Sequence, residues 1–225
     1  MCCTLGRGPR LACGSIDELG CGLARSRCGL AHGHRPKCLI ERDGQALIRR
    51  TAQCLLDAGI QDLVVVLGHY AQEIAPALAG LPVTVVINPH PEQGIISSQR
   101  LGLQSLSANC DAVVMCLADQ PLIETQDITD LLQAFADRPG NTDVVFPQVQ
   151  GQPGNPVALS AAVRTAVLQA HDDFGCQTWR QQHRALVHGW PSNNPHYITD
   201  LDSQADIAAL KQSGIDLSWP DASTH

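Results

Sequence analysis

Two acidic stretches, far apart in the chain, could share one divalent cation. The first closes the run Asp111-Ala112-Val113-Val114-Met115-Cys116-Leu117-Ala118-Asp119-Gln120-Pro121. Apolar or small residues from Ala112 to Ala118, ended by breakers, predict a strand buried on both faces, the habit of parallel sheets. Pro121 cannot continue a ladder, so Asp119 should stand at the strand's carboxyl end, where open α/β sheets place their ligands. An Asp there can equally cap a following helix. The second stretch is Asp200-Leu201-Asp202-Ser203. Alternation puts Asp200 and Asp202 on one side of a strand, although Asp202 or Ser203 could also cap the next helix. Carboxylates meeting from these two places would hold Mg²⁺, which takes one or two carboxylates plus phosphate oxygens.

Two further groups could handle a nucleotide. Arg35-Pro36-Lys37, with Arg25 and Arg27 upstream in a Gly-rich segment, could hold a triphosphate through backbone N–H groups and cationic side chains. A solvated basic patch is the alternative. Gly94-Ile95-Ile96-Ser97-Ser98 runs into a helical pattern. Small and hydroxyl residues at a helix start can donate to a base, ribose or phosphate, or simply cap the helix.

The elements that must position these residues alternate. From Lys37 onward the pattern predicts a helix after the Asp43-Gly44 turn, with Leu47, Ile48, Thr51, Cys54, Leu55 and Ala58 at 3.6-residue spacing. Strands follow at Leu63–Leu67, Val83–Ile87, Ala112–Asp119 and Asp143–Phe146, with helices between them at Tyr70–Leu78, around Leu101–Leu106 and at Asp127–Phe135. After a turn over Gly151–Pro156 come a short strand at Val157–Leu159, helices around Ala161–Gln169 and Thr178–Ala185, a strand at Tyr197–Leu201 and a helix at Gln204–Gln212. This is an α/β domain with a mostly parallel sheet and helices on both faces. Its expected extent is 23–216, after a poorly defined segment 1–22 and before a polar, loose tail 217–225.

Composition narrows the function classes. The chain of 225 residues, 44% hydrophobic and 16% charged, suits one ordinary globular domain. Its net charge of -7 argues against a non-specific grip on nucleic acid or anionic lipid. No apolar run approaches a membrane span, and no secretory signal opens the chain, so a cytoplasmic protein is expected. Ten cysteines are present, but none forms a Cys-x-x-Cys pair and no His cluster has zinc spacing. Hydrolase Gly-x-Ser-x-Gly, P-loop and Gly-x-Gly-x-x-Gly motifs are missing.

Taken together, these pieces resemble the MobA-like nucleotidyltransferases, and most closely their molybdenum-cofactor cytidylyltransferase branch. The resemblance covers about residues 23–212. It rests on Arg35-Pro36-Lys37-Cys38-Leu39 with Asp43-Gly44, on Val64-Val65-Val66-Leu67-Gly68-His69, and on Asn88-Pro89. Gly94-Ile95-Ile96-Ser97-Ser98, Leu117-Ala118-Asp119-Gln120-Pro121, Gly154-Asn155-Pro156-Val157 and Asp200-Leu201-Asp202-Ser203 follow in order. It implies a Rossmann-like fold of the nucleotide-diphospho-sugar transferase kind and transfer of a nucleoside monophosphate from an NTP (CTP or GTP) to a phosphorylated acceptor such as molybdopterin. Lys37 and Arg27 would neutralise the triphosphate. Asp119 and Asp202, with Asp200 nearby, would bind Mg²⁺. Leu11, Gly14, Arg35, Gly94, Ser97 and Ser98 would contact the nucleotide, and Gly154, Asn155 and Pro156 would line the acceptor side. A molybdoenzyme or its chaperone is the implied protein partner.

The family opens with an apolar strand running into Leu-Ala-Ala-Gly-x-Ser-x-Arg-Met-Gly. Here Leu11-Ala12-Cys13-Gly14 matches its first half and Arg25-Ser26-Arg27-Cys28-Gly29 its second, with extra residues between. Two rival readings follow: a sugar-phosphate nucleotidylyltransferase, and a non-catalytic nucleotide- or cofactor-binding accessory protein with a degraded phosphate loop.

Overall fold

The computed structural model describes the backbone of residues 11–17 and residues 35–108 and 110–220 in full. The first element, β1 (Leu11–Asp17), leads to a 3-10 turn at Lys37–Leu39 and a tight hairpin of β2 (Glu41–Arg42) and β3 (Gln45–Ala46). Asp43 and Gly44 both adopt positive φ in its turn, the geometry a two-residue hairpin needs. Helix α1 (Leu47–Asp57) buries Leu47, Ile48, Thr51, Ala52 and Leu55, the face expected from its spacing. Then come β4 (Leu63–Leu67), the short α2 (Ala71–Ile74), β5 (Thr84–Ile87), α3 (Ile95–Ser105), β6 (Ala112–Leu117) and α4 (Thr125–Ala136). Pro76 turns the end of α2 into a 3-10 helix over Ala75–Leu78. The remainder is β7 (Val144–Val149), β8 (Gln152–Pro153), β9 (Val157–Ser160), α5 (Ala161–Gln169), α6 (Cys176–Gln182), β10 (Val187–Ser192), α7 (Gln204–Gln212) and β11 (Leu217–Ser218).

The main sheet runs β10-β7-β9-β6-β1-β4-β5, with β8 paired to β7. Its pairings are parallel except around β9, which is antiparallel to both β6 and β7, and at β8. Strand alternation sends side chains into two separate cores. Leu63, Val65 and Leu67 of β4 pack with α1 and α4, whereas Val64 and Val66 pack with α3, α5 and α6. Helices therefore cover both faces, as in other Rossmann-like sheets. No described helix is long and apolar enough to cross a membrane.

A third, smaller cluster bears directly on the site. Ile40, Leu47, Leu201, Ile207 and Leu217 are buried together where the small sheet β11-β2-β3 meets α7.

Four expectations change. Leu11–Asp17 is a strand in the middle of the sheet, between β4 and β6, rather than part of an unreadable segment. Leu217 is fully buried and pairs with Arg42, so the polar tail begins later than expected. Tyr197–Leu201 is not a strand: Asn194 accepts a hydrogen bond from the His196 N–H and starts a 3-10 turn over Pro195–Ile198. The last strand of the main sheet is instead β10, parallel to β7.

Candidate active site

Strand β6 ends at Leu117, and Asp119 follows just past the carboxyl end of the sheet. Its carboxyl is nearly buried, and Oδ1 has no hydrogen-bond partner among the described residues. Burial first, then the neighbouring charge of Asp200, pushes this carboxyl up to about 6. Lys37 opposes the shift and Asp202 adds to it. The main-chain carbonyl of Asp119 accepts a hydrogen bond from the Leu201 N–H at 3.0 Å. Leu201 itself is plugged into the third core cluster, which contributes about 2 kcal/mol of burial at that one residue. Its exposed neighbours Asp200 and Asp202 are thereby held beside Asp119. Although much of Asp200 is open to solvent, partial desolvation on its inner side and then the charge of Asp202 raise its carboxyl as well.

The counter-charge is Lys37. It sits in the 3-10 turn begun by Pro36, is 5% exposed, and places Nζ 3.5 Å from Asp202 Oδ1. Among the described residues, three carboxylates thus face one ammonium, and an unpaired buried carboxylate oxygen is costly unless a cation meets it. Hard carboxylate oxygens are the donor set that Mg²⁺ or Mn²⁺ takes. No group of three or more His, Cys, Asp or Glu side chains among the described residues is placed to hold a metal ion by itself. Asp200 and Asp202 are open to solvent, so a cation held here would complete its sphere with phosphate oxygens rather than be enclosed by protein.

The nucleotide-side residues divide. Gly94 has φ +85°, which turns the chain sharply into α3. Asn88, buried at the end of β5, donates Nδ2 to Ser97 Oγ at 2.6 Å and to Ser98 Oγ at 2.8 Å, and its Oδ1 accepts from the His90 N–H. Ser98 is buried and works as an anchor, while Ser97 remains partly accessible. Arg35 lies at the surface, donating to the Pro220 carbonyl and stacking over Trp219. Leu11 and Gly14 both lie in β1. Leu11 pairs with Ala112, at the end of β6 remote from Asp119, and Gly14 lies mid-strand opposite Leu63 and Val114. The Leu-Ala-Cys-Gly piece is therefore strand rather than loop. Arg27 lies outside the described residues.

The acceptor-side residues form a lip. The Asn155 N–H and Gln120 Nε2 both donate to the Tyr197 carbonyl, at 2.9 and 3.1 Å. Gly154 passes so close that a Cβ there would stand 2.6 Å from the same carbonyl oxygen. Below the lip opens a cavity of about 620 Å³, walled by the sheet ends of β6, β7, β9 and β10, by α6 and by the start of α3. Sequence reasoning missed its polar lining, Arg180 and Arg184 above all. Arg180 lies on a short helix whose position over β7 no local pattern announces.

A family model described as "MobA-like NTP transferase domain" matches residues 24–187. The chain belongs to that family. Among curated relatives of this MobA-like chain, nicotine blue oxidoreductase of Paenarthrobacter nicotinovorans is 27% identical over 172 residues, 73% of this chain and 82% of that protein. Bifunctional protein GlmU of Sorangium cellulosum is 29% identical over 118 residues, half of this chain but 24% of GlmU, so the chain spans only a fraction of that relative. Among the solved structures that share the fold are two that are 20% identical to this chain. Rv0371c of Mycobacterium tuberculosis, in a crystal structure described as a complex with manganese, has a TM-score of 0.69 over 90% of this chain and 99% of that one. A nucleotidyl transferase from Methanothermobacter thermautotroptrophicus has a TM-score of 0.71 over 90% and 97%.

Proposed function

We propose that this member of the MobA-like NTP transferase family moves a nucleoside monophosphate from an NTP to a phosphorylated acceptor, with CTP and molybdopterin as the first pair to try. The observation that carries this reading is the convergence of Asp119 with Asp200, Asp202 and Lys37 at one end of the sheet. An oxygen of the acceptor phosphate attacks the NTP α-phosphorus in line. The new P–O bond forms as the bond to the β-phosphate oxygen breaks, and pyrophosphate leaves carrying the electron pair. Such transfer asks the protein mainly for positioning and charge neutralisation.

Asp119, with Asp200 and Asp202 beside it, would hold Mg²⁺. A bound divalent ion supplies charge stabilisation to the phosphate oxygens during the transfer. Lys37 balances the triphosphate from the other side. The Gly94–Ser98 loop, braced by Asn88, orients the nucleoside, and Gly154-Asn155-Pro156 forms the entrance for the acceptor.

The test is to incubate the protein with Mg²⁺ and each NTP in turn, adding molybdopterin or a set of sugar phosphates. Pyrophosphate release with molybdopterin supports the reading. Release only with a sugar phosphate moves the assignment to a sugar-phosphate nucleotidylyltransferase. Nucleotide binding without release from any acceptor makes the protein an accessory binder and overturns the enzyme reading.

A further inference from the structure

The cavity under the Gly154–Asn155 lip has an unusual charge balance for a chain of net charge -7. Its described walls contain Arg180 and Arg184 and no Asp or Glu. The Arg180 guanidinium lies 4.5 Å over the Phe146 ring, half-buried, with no hydrogen bond or carboxylate partner among the described residues. Burial pulls it below its ordinary value, a sign that its charge lacks compensation where it sits. A stacked guanidinium keeps its N–H edge free, and that edge matches a carboxylate or phosphate with two parallel hydrogen bonds. Gln148, Gln177 and Gln181 line the same space and add donors that carry no charge.

The sheet register gives the distance from the reacting centre. Met115 of β6 pairs with Val157 of β9, and continuing the β9–β7 register sets Phe146 beside Val157. Phe146 is thus two strands from β6, about 10 Å across, and Asp119 lies four residues beyond Met115, the last two in the turn after β6, so at most about 13 Å along. The diagonal is up to about 16 Å, and Asp119 is not among the residues lining the cavity that Arg180 lines, so Arg180 sits toward the side of that cavity away from the reacting phosphate.

We propose that Arg180, seconded by Arg184 at the rim, binds an anionic group at the far end of the acceptor, so that the acceptor is an elongated molecule with a second negative group besides its reacting phosphate. This rests on the acceptor reading above, but the anion site can be tested without turnover. Inorganic phosphate serves as the probe, titrated into ¹⁵N-labelled protein and followed by NMR at the Arg180 Nε–H and at the Gly154 and Gly189 amides of the cavity wall. Saturable shifts at all three are expected. Arg180→Gln should weaken the phosphate response of the two glycine amides at least fivefold, and Arg184→Gln by less, while both variants bind Mg·CTP as the parent does. Phosphate that leaves the Arg180 signal unmoved, or that binds Arg180→Gln as tightly as the parent, overturns the proposal. Should Arg180→Gln fail to fold, Arg180→Lys and Arg184→Gln carry the same comparison. Parent protein that binds phosphate at Arg180 yet no Mg·CTP removes the transferase reading and leaves the anion site standing.

Discussion

The Leu201 N–H donates to the Asp119 carbonyl at 3.0 Å, and this hydrogen bond, with that from Gln120 Nε2 to the Tyr197 carbonyl, ties the end of β6 to the acidic segment before α7. It brings the Asp119 carboxyl within electrostatic reach of Asp200 and Asp202. The consequence is a carboxyl that titrates near 6 rather than near 4, in a place where only its charged form would hold a cation. Below that pH the proton and the divalent ion compete. Affinity for Mn²⁺ or Mg²⁺, and turnover with it, should therefore fall by about tenfold per pH unit as the pH drops below about 6. Calorimetric titration of Mn²⁺ between pH 5 and 8 measures this. A flat profile would take Asp119 out of the metal site.

The same shift has an opposite effect on the metal-free fold. The folded carboxyl holds its proton more tightly than the unfolded one, so the native state is penalised above about pH 6 and relieved as the pH falls toward 4. Asp119→Asn removes the penalty. It should raise the stability of the metal-free protein at pH 7.5 by about 2–3 kcal/mol and change little at pH 4, while abolishing turnover. Thermal melts at both pH values decide it, and an equal shift at the two would sink the electrostatic explanation.

Lys37 acts on both quantities. Its charge lowers the Asp119 titration, and it is the described cation nearest the acidic mouth. Lys37→Met should cut kcat/KM by about 10²–10³ and move the midpoint of the residual pH profile upward. Loss of rate with an unmoved midpoint would mean that Lys37 serves the triphosphate without touching Asp119.

How much of this was visible beforehand follows from where each signal resides. Asp119 was legible because an unbroken apolar run stops at Gln120-Pro121, and α1 because five buried residues keep helical spacing. Strand β10 was not. Its His188-Gly189-Trp190-Pro191 core has no alternation, and only pairing with the buried β7 makes it a strand. Leu11–Asp17 misled for a related reason: small residues read as a loop motif, yet they occupy the slot between β4 and β6. The Asp200–Asp202 pair was expected on a strand, but its placement comes from Leu201 entering a core shared with Ile40 and Leu217. Arg180 depends on how α6 docks over Phe146, which is tertiary information throughout.

Asn88 offers a test of the nucleoside loop. It is buried, and its side chain holds Ser97, Ser98 and the His90 amide at once. Asn88→Ala leaves those partners unmatched at a cost of about 1–3 kcal/mol. It should also free the Gly94–Ser98 turn, raising KM for the NTP several-fold more than it lowers kcat. An unchanged KM alongside the lost stability would make the network purely structural.

Gly154 probes the joint between the cavity lip and the acidic mouth. A methyl group there would meet the Tyr197 carbonyl oxygen at 2.6 Å and the Tyr197 Cβ at 2.9 Å, both on a segment fixed by two further hydrogen bonds. Neither neighbour is the loose end of a flexible side chain, so the backbone must move. Gly154→Ala should cost about 1–3 kcal/mol and push Tyr197 away from Gln120 and Asn155. Because Asp200 and Asp202 follow Tyr197 on the same segment, Mn²⁺ affinity should drop too, by a factor that Gly140→Ala does not reproduce, since a Cβ at Gly140 meets nothing within 4 Å and its φ is not positive. Destabilisation without any loss of Mn²⁺ affinity would show that the lip and the metal mouth are mechanically independent.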